Sequence, residues 1–162
     1  MILEQHIIKK FGNRVRTRVC GILANEDGVL LVRHEGLGEE GDFWSFPGGE
    51  INFGTPVKQN VAREVREETG LLVKVGKFIG VTEFFKPPLH AVELFFKITR
   101  EGGDLATGYD PELPPSRQII KEARFVTFRE LSIIPQTRKH QLLHHVNKEA
   151  DLYNPQVFFV GD

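Results

Sequence analysis

Glu64, Glu67 and Glu68 crowd into the stretch REVREE, beside Arg63. Like charges this close repel unless they are paired or share a cation. At 3.6 residues per turn the three carboxylates fall within an arc of roughly 100°. Val57, Val61 and Val65 form an apolar stripe next to that arc, so the carboxylates border the buried seam. Hard oxygen ligands from a few carboxylates suit Mg²⁺, with Mn²⁺ as a substitute. Arg63 can instead pair with Glu67 at i,i+4 in a merely solvated helix, and the acidic run alone leaves both readings open. Gly48-Gly49, just upstream, adds weight to the first. Glycines after a strand let backbone approach a ligand closely, so a carbonyl and several carboxylates would converge.

The elements that must position these groups follow from pattern. Thr55-Pro56 reads as a helix start, with Thr55 as N-cap and Pro56 at the first helical position. The helix should run to about Thr69 and stop at Gly70. RVRTRVCGILA from Arg14 to Ala24 alternates like a half-buried strand. NEDG is turn chemistry, and VLLVRHE returns, so the two read as a hairpin. EGLGEEGD is a loop, and FWSFPGGE brings a short aromatic strand to the glycines. Leu71 to Lys86 and His90 to Thr99 read as strands joined across PPL, and ARFVTF as another. Thr137 to Leu152 reads as a helix with Leu142, Leu143, Val146 and Ala150 on one stripe. The tail NPQVFFVGD would add an edge strand or meet a partner subunit. Arg100 to Glu122 has many Pro and Gly, and reads equally as a surface excursion or as a lid over a substrate. The order β-β-β-α-β-β-β-α suggests an α/β chain with a mixed sheet covered by helices.

The 162 residues fit one domain, and Lys+Arg 21 against Asp+Glu 22 leaves almost no net charge. Such a balance gives no support to nonspecific nucleic-acid or membrane binding. Cys20 is the lone cysteine, so no intrachain disulfide can form. Without a signal-like or membrane-spanning run, a cytoplasmic protein is expected.

The segment Gly49 to Leu71 resembles the signature box of the Nudix hydrolases (MutT-like), G-x5-E-x7-R-E-U-x-E-E-x-G-U, with U aliphatic. Gly49, Arg63, Glu64, Val65, Glu67, Glu68, Gly70 and Leu71 match it, and Thr55 replaces the first Glu. The resemblance implies an α/β/α sandwich with a mixed sheet, spanning residues 1–162 as one Nudix domain. It implies a Mg²⁺-dependent pyrophosphohydrolase cleaving a nucleoside triphosphate, possibly oxidised, or another nucleoside-diphosphate derivative, by water attack on phosphorus. ADP-ribose or a nucleotide sugar is the alternative substrate. A catalytically weak or inactive nucleotide-binding or sensor module is the alternative function. By carry-over, Glu64, Glu67 and Glu68 are metal ligands with the Gly48 carbonyl a further one, Glu64 doubles as general base, and Arg63 supports them. Thr55 should leave Arg63 leaning on Glu67 or a backbone carbonyl, with weaker bracing of the loop.

Other residues divide between chemistry and packing. Glu122 would be an additional acid facing the metals or a surface glutamate. Glu93 would point toward the site or away from it. Arg18 and Arg33 would be phosphate contacts or solvated strand charges. Trp44, with Phe43 and Phe46, would stack a base or fill the core. His140, His144 and His145 lack a third ligand and read as a polar helix face. The expected partner is a small nucleotide, with neither nucleic acid nor membrane. The apolar tail VFFV makes a homodimer the expected assembly.

Overall fold

The computed structural model describes residues 2–154 and 156–158. Its strands are β1 (Arg14–Ile22), β2 (Ala24–Asn25), β3 (Gly28–Glu35), β4 (Asp42–Ser45), β5 (Gly48–Glu50), β6 (Leu72–Lys86), β7 (Leu89–Gly102), β8 (Ile120–Val126) and β9 (Gln156–Phe158). Its α-helices are α1 (Ile2–Phe11), α2 (Val57–Thr69) and α3 (Phe128–Ile133). One mixed sheet runs β5-β1-β7-β6-β9, with β1 parallel to β7 and β6 parallel to β9. A second, antiparallel sheet holds β2, β3, β4 and β8.

Successive strand residues serve two cores, as the period of two requires. Val19, Leu30, Phe96 and Ile98 pack with Val61 and Val65 of α2. Cys20, Leu31 and Phe95 face the other way, against Leu131, Leu142, Leu143 and Val146. Helical and irregular segments thus cover strands buried on both sides, the layered α/β arrangement that the resemblance implies. No helix among the described residues is long and apolar enough to cross a membrane.

Several local expectations change. The hairpin from Arg14 to Glu35 does not form, because β1 pairs with β5 and β7 while β3 joins the other sheet. Only its tip survives: NEDG closes β2 onto β3, with Asn25 Oδ1 accepting from the Asp27 N–H at 2.9 Å. Thr137 to Leu152 is not a helix but a chain of 3-10 turns at Gln136–Arg138, Gln141–Leu143 and Glu149–Tyr153. Tertiary pairing interrupts it, since Lys139 bridges to Trp44 and the His140 N–H donates to the Trp44 carbonyl. Asp151 then takes the Asn147 and Lys148 N–H groups, competing with helical bonding. Leu142, Leu143 and Val146 of the expected apolar stripe are still buried, but Ala150 is exposed, because the 3-10 turns do not carry the helical period that far. The tail supplies the short edge strand β9 on β6; Pro155 and Phe159 to Asp162 lie outside the described residues.

The segment between β7 and β8 is docked on the end of α2 and is not a loose excursion. The N–H groups of Ala106, Gly108 and Tyr109 donate to the carbonyls of Thr69, Glu68 and Glu67. They satisfy acceptors that the end of α2 would otherwise leave unpaired.

Candidate functional site

Backbone contact fixes the glycine pair. Gly48 lies opposite Cys20, and Gly49 opposite Val19, in the β1–β5 pairing. A Cβ on Gly49 would sit 2.4 Å from the Glu64 carboxyl carbon, so a side chain there would displace the carboxylate from its place. A Cβ on Gly48 would meet the Val19 carbonyl at 2.1 Å. The close approach foreseen for the glycines is to β1 at Gly48 and to α2 at Gly49.

Helix α2 ends at Gly70, whose φ of 74° is left-handed and whose N–H donates to the Arg66 carbonyl. Its start differs from expectation. Pro56 occupies the N-cap position and no side chain caps it, so Thr55 is not the cap. Asn60, 0% exposed, organises the turn instead. Its Nδ2 donates to the Thr55 and Pro56 carbonyls, both at 3.0 Å, and its Oδ1 accepts from the Asn52 N–H at 3.0 Å. The loop is therefore braced from within the helix. Asn60 stands four residues before Glu64 on the buried seam, the one hint the sequence offered.

Glu64 and Glu68 are 7% and 6% exposed. Burial pushes the Glu64 carboxyl up to about 7 against the pull of Arg63, and Glu68 up to about 8 with Glu64 adding to the rise. Glu68 Oε2 accepts from the Gly48 N–H at 2.9 Å. Arg63 donates through Nη2 to Glu64 Oε1 at 2.6 Å and through Nη1 to Glu67 Oε2 at 2.9 Å. It also reaches the Glu50 carbonyl at 3.4 Å and Asn60 Oδ1 at 3.3 Å. Arg63 is thus well partnered beside a threonine at position 55. Two buried carboxylates, a third one turn away and a strand carbonyl form a hard-oxygen donor set that fits Mg²⁺ or Mn²⁺. Among the described residues, however, no three acidic, histidine or cysteine side chains converge as a ready-made cluster. Arg63 holds Glu64 and Glu67 in the meantime.

The outlying candidates fall in two places. Arg18 and Glu93 meet each other beside the glycines: Arg18 Nη1 donates to Glu93 Oε1 at 2.5 Å, and Nη2 to the Gly48 carbonyl at 3.2 Å. Glu93 therefore points inward, toward the glycine strand. Burial would raise its carboxyl, but the facing His140 and Arg18 outweigh this and bring it to about 2. Arg33, Glu122 and Trp44 gather elsewhere. Arg33 is bound by Asp42 at 3.0 Å and Glu122 at 3.2 Å, and Glu122 also holds Arg124 at 2.8 Å. Trp44, 6% exposed, is core, with the Arg124 guanidinium 5.1 Å from its ring centre, so it offers no free stacking face. Arg33 and Glu122 neutralise one another on paired strands, where alternation sets them on the Trp44 side. His140 is not part of a polar helix face but is buried against Glu93.

A family model of the NUDIX domain matches residues 14–146. The chain is 30% identical over 134 residues to an ADP-ribose pyrophosphatase of Methanocaldococcus jannaschii, covering 80% of this chain and 73% of that protein. It is 28% identical over 97 residues to a putative ADP-ribose pyrophosphatase, YjhB, of Bacillus subtilis, covering 57% of this chain but only 45% of that protein. Among solved structures, a NUDIX hydrolase from Nitrosomonas europaea superposes with a TM-score of 0.64 at 19% identity, covering 90% of this chain and 78% of that one. That likeness concerns the fold. Sequence match, layered sheet and glycine-braced acidic helix agree: the chain belongs to the Nudix family of hydrolases, which act on phosphorus-containing anhydrides.

Proposed function

We propose that the chain is a pyrophosphohydrolase that cleaves the diphosphate of a nucleoside-diphosphate derivative, with Glu64, Glu67, Glu68 and the Gly48 carbonyl holding Mg²⁺ or Mn²⁺. The observation that carries this reading is the burial of Glu64 and Glu68 against Gly48-Gly49. Carboxylates so desolvated are costly to ionise unless a cation joins them. The bound ion would neutralise diphosphate oxygens and lower the barrier to water attack on phosphorus. Glu64, set against Gly49, takes the water proton at its carboxylate. Arg63 orients Glu64 and Glu67, which would hold the ion. Asn60 keeps the Asn52 to Pro56 turn closed over the start of the helix.

ADP-ribose heads the substrate panel because two relatives carry that name. Nucleotide sugars, nucleoside triphosphates and oxidised triphosphates complete it. Expected is product release that requires Mg²⁺ or Mn²⁺ and falls by about 100-fold or more in Glu67→Gln. Equal turnover by both proteins overturns the assignment. The grip of Arg63 on Glu64 and Glu67 favours a second reading, a nucleotide-binding or sensor module. Calorimetric binding of ADP-ribose without turnover under either metal would support it.

A further inference from the structure

Beside the acidic helix lies a buried charge cluster that the proposed chemistry does not use. Arg18 of β1 stands opposite Glu93 of β7 in the parallel register. Glu93, 4% exposed, accepts from Arg18 Nη1 at Oε1, while Oε2 accepts from Thr82 Oγ1 at 3.2 Å and lies 2.8 Å from His140 Nε2. The His140 ring packs against Phe46 and Phe95, with centroids 5.8 and 5.2 Å away. Its Nδ1 accepts from the Leu142 N–H at 3.2 Å, so Nε2 is the nitrogen that donates to Glu93. On the other side, the Gly48 carbonyl that accepts from Arg18 belongs to the residue whose N–H serves Glu68. A continuous chain runs from His140 through Glu93, Arg18 and Gly48 to Glu68.

A buried ion pair returns little net stability, because desolvation offsets the Coulomb attraction. Its effect here is to fix where one positive charge sits. Arg18 Nη2 reaches the Gly48 carbonyl, and the Gly48 N–H reaches Glu68. The Arg18 Nε is buried with no hydrogen-bond partner among the described residues. Released from Glu93, this guanidinium, already on the Gly48 carbonyl, would have as its next acceptor the Glu68 carboxylate that takes the Gly48 N–H. That pairing would cancel the negative charge that a divalent cation needs.

We propose that Glu93, oriented by His140 and Thr82, is a positioning residue that withholds Arg18 from Glu68 and thereby sets the divalent-cation affinity of the acidic helix. This rests on the assignment of the helix carboxylates as cation ligands. The effect has a distinctive sign: losing Glu93 removes no ligand but frees a competing cation, and removing Arg18 as well should repair the damage.

The test is Mn²⁺ binding to the full chain without substrate, with free Mn²⁺ read by electron paramagnetic resonance. Glu93→Gln should weaken binding by about tenfold or more. The double variant Arg18→Gln/Glu93→Gln should return to within about twofold of wild type, since an absent charge cannot compete. Wild-type affinity in Glu93→Gln, or an equal loss in the single and double variants, overturns the proposal. Near-ultraviolet circular dichroism on the same samples identifies any variant that has not folded. His140→Phe, which keeps the ring packing and removes the donor, should weaken Mn²⁺ in the same direction, and unchanged affinity there also overturns it. Glu64→Gln separates the two levels of the argument. If it binds Mn²⁺ like wild type, the ligand assignment fails; if it does not while Glu93→Gln does, only the positioning role fails.

Discussion

Glu68 is a carboxylate whose environment works against its charge. Its titration near 8 in the folded chain, against an ordinary value of 4.5, means the folded state holds a proton that the unfolded state has lost. Between those values, metal-free stability therefore falls as pH rises, and Glu64, near 7, adds in the same direction. Glu68→Gln keeps an acceptor for the Gly48 N–H but removes the titration. In excess chelator the variant should be more stable than wild type at pH 8, and should lose that advantage near pH 4.5. Thermal midpoints at the two pH values check this, and a variant that is less stable at pH 8 contradicts the burial argument. At this scale the sequence was legible where spacing encodes geometry, as in the acidic arc of α2. Asn60 and His140 were not, because their partners, Asn52 and Glu93, are set by a turn and by a strand register that no local pattern specifies.

At the scale of elements, α2 and the β6–β7 hairpin were legible because apolar periodicity and stop residues agreed. The partner of β1 was not: a turn motif says that the chain reverses, but not that the reversal belongs to β2 and β3 alone. The segment from Gly103 to Ile119 was harder still. Its Gly and Pro suggested freedom, yet its N–H groups complete the end of α2. A Cβ on Gly108 would lie 1.9 Å from the Glu67 carbonyl. Gly108→Val should therefore undock the segment, costing about 2 kcal/mol or more through lost hydrogen bonds and clash. Denaturant unfolding measures the cost, and faster proteolysis between Gly103 and Ile119 locates it. An unchanged midpoint would mean that the segment is not braced on the helix.

For the molecule as a whole, two cores lie on opposite faces of shared strands, and the one opposite α2 depends on the C-terminal turns. Leu142, Leu143 and Val146 of its stripe were read correctly even though its helix was not, since burial follows residue type while backbone form follows tertiary partners; Ala150, which only a continuous helix would have brought onto the stripe, is exposed. Leu143, fully buried, should cost about 2–5 kcal/mol on truncation to alanine. Ile133, largely exposed, should change stability by about 0.5 kcal/mol or less on the same truncation. Denaturation of both variants decides whether the turns carry core energy. The Arg18–Glu93 pair bears on folding fidelity as well. A slip of one residue in the β1–β7 pairing would turn Arg18 toward the α2 core and Val19 away from it. It would also strand the Glu93 carboxylate without its cation. The buried pair thereby penalises misregistered sheets and makes the correct strand alignment a condition for assembling the site.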